Sequence, residues 1–167
     1  MRNVFLPLTG VMLVLTATCT LAVDTVQFNG LVEQACSLQI VGSPVFMGNY
    51  PTSKFSARNT TTEYKNFSIN ISGCQKSRIA LKWGGNTVIN NADLLAVDGA
   101  KGLGIRIIDQ KTNQRAIFNQ DPTDNMYITM PDTGIYTFSL SAFYISFQDS
   151  VTAGPANASA NVELVYN

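Results

Sequence analysis

The closing stretch of the chain, NASANVELVYN, alternates without a break. Ala158, Ala160, Val162, Leu164 and Tyr166 stand at every second position, with Ser159, Asn161, Glu163 and Val165 between them. Successive side chains of an extended backbone point to opposite faces, so a period of two predicts a half-buried β-strand. The sequence runs one residue past Tyr166, which leaves nothing to fold back along this strand as a hairpin. A neighbour for it is therefore expected from earlier in the chain or from another molecule. A second stretch, DTVQFNGLVE, alternates in the same way, with Val26, Phe28, Gly30 and Val32 on one face. A glycine inside a strand sacrifices packing and marks a place where another backbone comes close.

Between these two ends the chain reads as short strands separated by turn signals. Phe67, Ile69 and Ile71 alternate, as do Ile79, Leu81 and Trp83, and again Leu103, Ile105 and Ile107. The longest run begins with Tyr136, Phe138 and Leu140 and continues through Phe143, Ile145 and Phe147, so its parity changes near Ala142, where a bulge or bend is expected. Ala116 to Phe118 and Met126 to Met130 read as short strands, Thr52 to Thr62 as an exposed loop, and Ala92 to Val97 as one helical turn. No helical period extends over ten residues. The pattern predicts an all-β sandwich or barrel. With 167 residues, 46% hydrophobic and 13% charged, the chain suffices for one domain with a real core.

Residues 1–22 read as a secretory leader. Arg2 gives the positive start, Val4 to Ala17 the apolar run, and Thr20-Leu21-Ala22 the small-residue cleavage site. Removing it takes Cys19 away and leaves Cys36 and Cys74, an even pair that reads as one disulfide in an exported protein. The formal net charge is 0, and loss of Arg2 with the leader makes it −1, which argues against nucleic acid as a partner.

Catalytic and metal chemistry find little to work with. The chain has no His, which removes the commonest general base and metal ligand and excludes a Ser-His-Asp arrangement. Asp121, Asp124 and Asp132 cluster in sequence but read as a solvated, turn-rich loop. The stretch GAKGLG at residues 99–104 lacks the Lys-Ser/Thr ending of a phosphate loop and reads as a turn before a strand. Trp83 and Tyr127 offer an alternative, a sugar platform on a self-contained secreted sandwich, set against their reading as core and edge packing.

Several motifs, taken in order, carry a resemblance. TVQFNG with Gly30 is similar to a donor-strand extension, and Ala35-Cys36-Ser37-Leu38 to a first cysteine segment. Phe67, Ile69 and Ile71 followed by Cys74 resemble a second cysteine strand, and Leu103-Gly104-Ile105-Arg106-Ile107-Ile108-Asp109 a mid-chain strand. Gly154 through the penultimate Tyr166 resembles a C-terminal strand. The ordered set resembles the major pilin subunits of the bacterial chaperone–usher pathway, the type 1 fimbrial family.

That resemblance implies an incomplete immunoglobulin-like β-sandwich lacking its last strand, with a signal peptide at 1–22, a donor-strand extension at 23–34 and a pilin domain at 35–167. It implies a groove beside the C-terminal strand, involving Ala160, Val162, Leu164, Tyr166 and Asn167. A periplasmic chaperone fills it first. At the outer-membrane usher, the next subunit's extension replaces the chaperone, presenting Val26, Phe28, Gly30 and Val32. The implied product is a head-to-tail homopolymer of neighbouring pilin subunits, a cell-surface fimbria that supports adhesion, with no cofactor, metal or enzymatic activity. The residues fit such an exchange: an unpaired edge templates another strand, and strand addition draws affinity from backbone bonds and specificity from alternate side chains. Burial of Val26, Phe28 and Val32 would contribute roughly 1.5–3 kcal/mol each. The alternatives are a minor adaptor or terminator subunit and the self-contained carbohydrate-binding module.

Overall fold

The apolar alternations become strands because each places one face of an extended backbone against a shared core. The structure, a computed structural model, describes residue 27 and residues 36–167. The expected leader and the donor-strand positions Val26, Phe28, Gly30 and Val32 lie outside the described residues. The described strands are β1 (Ser37–Val41), β2 (Lys65–Ser72), β3 (Arg78–Gly85), β4 (Thr87–Val88), β5 (Asn91–Ala96), β6 (Leu103–Asp109), β7 (Ile128–Thr129), β8 (Ile135–Ser146) and β9 (Ala160–Tyr166). They form two sheets, ordered β1-β2-β8-β6-β5-β4 and β7-β3-β9, and every pairing between them is antiparallel.

Ile69 and Ile71 of β2, Ile79 of β3 and Phe138 and Leu140 of β8 meet between the sheets, as their period of two requires. Cys36 and Cys74 are bonded, and they tie the start of β1 to the chain just beyond β2. In the chain-entropy account, closing a loop with a sequence separation of 38 stabilises by about 4 kcal/mol.

The long run does not bulge. β8 is continuous, and its register against β2 and β6 advances one residue at a time. Its parity changes because the sheet is covered on both sides there. Phe138, Leu140, Ala142 and Tyr144 face the main core, while Phe143 and Ile145 face a second apolar cluster with Val88, Leu94 and Ile108. The same double cover accounts for Ala92 to Val97, which lies in strand β5 as far as Ala96 and is not a helical turn. Leu95 enters the main core and its neighbour Leu94 the second cluster, so both are buried and the alternation is erased.

Three shorter expectations change in detail. Thr52 to Thr62 is not uniformly exposed, because a 3-10 turn at Thr52–Phe55 buries Phe55, and Thr62 is buried as well. Ala116 to Phe118 forms no strand: Phe118 makes an isolated bridge to Trp83, and Arg115, just before the stretch, makes one to Ile108. The expected strand from Met126 to Met130 shrinks to β7, with Met126 ending a 3-10 turn at Asp124–Met126.

Candidate functional site

β9 pairs with β3 along its whole length, from Ile79 opposite Tyr166 to Gly85 opposite Ala160. Among the described residues no strand lies on its other side. In the second sheet β1 is likewise a margin, paired to β2 alone. Between the two margins runs a groove of about 1080 Å³. Ile69, Ile105, Ile107 and Ala142 contribute to its floor, Pro44, Met47 and Tyr50 to one wall, and Ala160 and Val162 to the other.

Tyrosines tie together the elements around the groove. At the β9 C-terminal end the Cys36 N–H donates to the Tyr166 hydroxyl oxygen at 3.2 Å. Toward the other end the Tyr144 hydroxyl donates to the Ala156 carbonyl at 2.7 Å, and the Tyr50 ring meets both Phe55 and Tyr144 edge-on. The segment leading into β9 is held against residues 98–101. Asp98 accepts from the Asn157 backbone at 3.0 Å and from its amide at 3.1 Å, and the Ala100 N–H donates to the Pro155 carbonyl at 2.8 Å. Gly99 permits this contact, because a Cβ there would stand 2.5 Å from Pro155 Cδ.

The groove's electrostatics favour neutrality. Burial, reinforced by the nearby Asp98 carboxylate, pushes the Tyr144 phenol up from its ordinary value. The hydrogen bond that the Tyr50 hydroxyl donates to Glu63 at 2.7 Å pushes Tyr50 up and holds Glu63 below the usual carboxylate range. Both phenols thus stay protonated, as donors beside an apolar lining. Such a trough has no nucleophile–base pair. It fits the apolar side chains of an extended strand.

The expected site residues separate within this geometry. Ala160 and Val162 line the groove. Leu164 packs against the main core beside β3. Tyr166 is 53% exposed, is not among the residues that line the groove, and accepts from the Cys36 N–H beside β1. The Asn167 backbone donates to the Arg78 carbonyl at 3.0 Å, on the β3 side. Sequence reasoning missed the wall at residues 43–50, because Val45, Phe46 and Met47 follow no period and read only as an apolar patch before Gly48. It missed Tyr50 for the same reason, and Tyr144 because apolar Phe143 and Ile145 on the opposite face masked its place in the alternation from Phe138 through Ala142.

The sugar-platform alternative is corrected here. Trp83 is 8% exposed, with its ring edge-on to Phe118, so it is not a sugar platform. Tyr127 lies under the Arg78 guanidinium at 5.4 Å. Asp121, Asp124 and Asp132 do not converge. They pair separately with Lys82 at 2.6 Å, Arg78 at 3.2 Å and Lys76 at 3.9 Å, and no group of three candidate metal ligands occurs among the described residues.

Comparison with known proteins agrees with this architecture. Residues 19–167 match the family model described as "Fimbrial protein". A "Type-1 fimbrial protein subunit" from Serratia marcescens is 35% identical over 179 residues, covering 99% of each chain. Among solved structures, the P pilus rod subunit PapA is similar with a TM-score of 0.65 at 22% identity, covering 79% of this chain and 99% of that one. A subunit of a chaperone–usher pilus whose structure concerns rod uncoiling has a TM-score of 0.66 at 20% identity, covering 91% of this chain and 100% of that one.

Proposed function

The chain belongs to the fimbrial protein family, as a pilin subunit of a cell-surface fimbria, and from that premise we propose that it polymerises by donor-strand exchange. The family is one of structural subunits and not of enzymes. In the proposed mechanism the open margin of β9 accepts a strand laid along the groove. During export a periplasmic chaperone supplies that strand, held at Tyr166 and Asn167. At the outer-membrane usher the next subunit's residues 23–34 displace it, with Val26, Phe28 and Val32 entering the groove and Gly30 at the tightest crossing. Each subunit then fills one neighbour and is filled by another. Such a contact does not close on itself and gives a filament.

The observation that carries this reading is the apolar groove beside a strand margin that pairs with nothing among the described residues. Burying three or four apolar side chains there contributes roughly 1.5–3 kcal/mol each, comparable to a domain's whole stability of about 5–15 kcal/mol.

A pair of deletions tests it. Removing residues 23–33 should leave a soluble chaperone-bound subunit that no longer inserts into a neighbour. Removing Tyr166 and Asn167 should give a subunit that aggregates or is degraded even with chaperone present. A C-terminal deletion that accumulates as a stable monomer without chaperone would mean the sandwich is already complete, and the exchange mechanism would fall.

A further inference from the structure

Away from the groove, the outer face of the six-stranded sheet has a chemistry of its own. Alternation along β1, β2 and β8 turns Gln39, Asn66, Ser68, Asn70, Thr137 and Ser139 outward. No outward position of these three strands carries a charge, whereas the outward side of β3 and β9 carries Arg78, Lys82 and Glu163. Next in line after Asn66 comes Tyr64. Its ring lies on Phe143 with centroids 4.4 Å apart and planes 19° apart, yet the residue remains 55% exposed. Stacking on one side holds the ring flat and leaves aromatic surface open to solvent.

The neighbouring amides are fixed in orientation. The Asn66 carboxamide oxygen accepts from the Ser141 hydroxyl at 2.8 Å, and Ser141 in turn accepts from the Gln110 amide at 2.9 Å. The Asn70 oxygen accepts from the Thr137 hydroxyl at 3.0 Å. With both oxygens engaged inside the protein, the two NH₂ ends are the groups left to meet a ligand. Arg106 lies in the same row as Tyr64 and Phe143, but its guanidinium is already on Asp93 at 2.9 Å.

A flat exposed ring, outward amide donors and the absence of charge from the outward positions of β1, β2 and β8 together complement a ligand with apolar C–H faces and many neutral hydroxyls. We propose that this face binds neutral oligosaccharide, with a sugar ring on Tyr64 and hydroxyls accepting from Asn66 and Asn70. From Tyr64 to Asn70 the strand covers about 20 Å at roughly 3.4 Å per residue, the length of a short oligosaccharide and not of one sugar. A shallow face binds weakly per copy, and repetition along a fibre turns weak contacts into retention. That amplification rests on the assembly proposed above. The site itself does not.

Purified fibres of the full chain, applied to immobilised neutral oligosaccharides and to their sialylated and sulfated counterparts, test the proposal. Retention on a neutral set is expected. Tyr64→Ala should weaken it by about tenfold, Tyr64→Phe should preserve it, and Asn66→Asp with Asn70→Asp should weaken it. Preference for the charged sets, no retention on any neutral set, or undiminished binding by Tyr64→Ala overturns it. So does a change of fibre width in Tyr64→Ala without sugar binding, which would make the face a contact between copies of the chain. If Tyr64→Ala does not assemble, Ser68→Lys places a charge on the same face and is expected to abolish retention, and retention that survives it overturns the proposal. If no fibres form at all, the same comparison on the soluble subunit reads the face alone, so failed assembly and failed sugar binding remain separate results.

Discussion

Tyr166 and Cys36, 130 positions apart, are joined by a single hydrogen bond from the Cys36 N–H to the phenolic oxygen at 3.2 Å. It links the last residue of β9 to the residue before β1 and so spans the two margins of the groove. Tyr166→Phe keeps the ring and removes the acceptor. The expected loss is about 1 kcal/mol in denaturant unfolding of the chaperone-bound subunit, with fibre assembly preserved. Loss of all soluble subunit on this change would assign Tyr166 a larger part in the fold than its half-exposed ring indicates.

Gly30→Leu tests the donor face. In the proposed exchange this position crosses the groove where no side chain has room. The variant should fold and bind chaperone as before and fail to extend fibres, scored by electron microscopy of the cell surface. Normal fibres would show that Gly30 is not the crossing point.

Trp83 is the chain's sole tryptophan and lines the groove, so its fluorescence reports occupancy directly. Adding a peptide of residues 23–34 to a subunit that lacks them should shift the emission to shorter wavelength as the groove fills and water leaves. Val162→Asp, which puts a charge into one wall, should abolish the shift.

Lys76 has a φ of 58°, a left-handed conformation that side chains with a Cβ rarely adopt. Its contact with Asp132 at 3.9 Å is exposed on both sides and contributes little. Lys76→Gly should therefore stabilise the subunit by roughly 0.5–1 kcal/mol, the relief of the left-handed strain outweighing the added freedom of the unfolded chain. Thermal unfolding measures it, and a lower midpoint would contradict it.

Gly99→Ala should destabilise. Its Cβ would stand 2.5 Å from Pro155 Cδ and 3.0 Å from the Pro155 backbone nitrogen and oxygen, where neither atom has freedom to yield. A cost of about 1–3 kcal/mol is expected in urea unfolding, together with loosening of the segment that leads into β9, visible as faster amide exchange at Ala100 and Asn157.

How much of this was legible in the sequence depended on whether a strand is covered on one face or two. β2 and β3 present one apolar face, and Phe67, Ile69, Ile71, Ile79, Leu81 and Trp83 announced them by period. β5 and the second half of β8 are apolar on both faces. Leu94 beside Leu95 then looked helical, and the step from Leu140 to Phe143 looked like a bulge. The β9 wall of the groove could be read because it alternates. The opposite wall could not, because Met47 and Tyr50 sit in irregular backbone between Gly42 and Pro51, where no repeat relates one side chain to the next. Pairings between distant residues, such as Asp98 with Asn157, leave no local trace at all.

The bond between Cys36 and Cys74 has a mechanical consequence. In the filament proposed above, load under tension would enter each subunit through the backbone just upstream of Cys36. At that point it divides, part following the chain into β1 and part crossing the sulfur bridge to the residue that follows β2. The ladder of hydrogen bonds between β1 and β2 is thereby shunted by a covalent strut. A pull that would otherwise peel β1 away one bond at a time is delivered instead to β2 and, through it, to β8 at the middle of the sheet. Reduction of this bridge would leave the same contacts in place but return them to series, so that the fibre yields at its weakest rung.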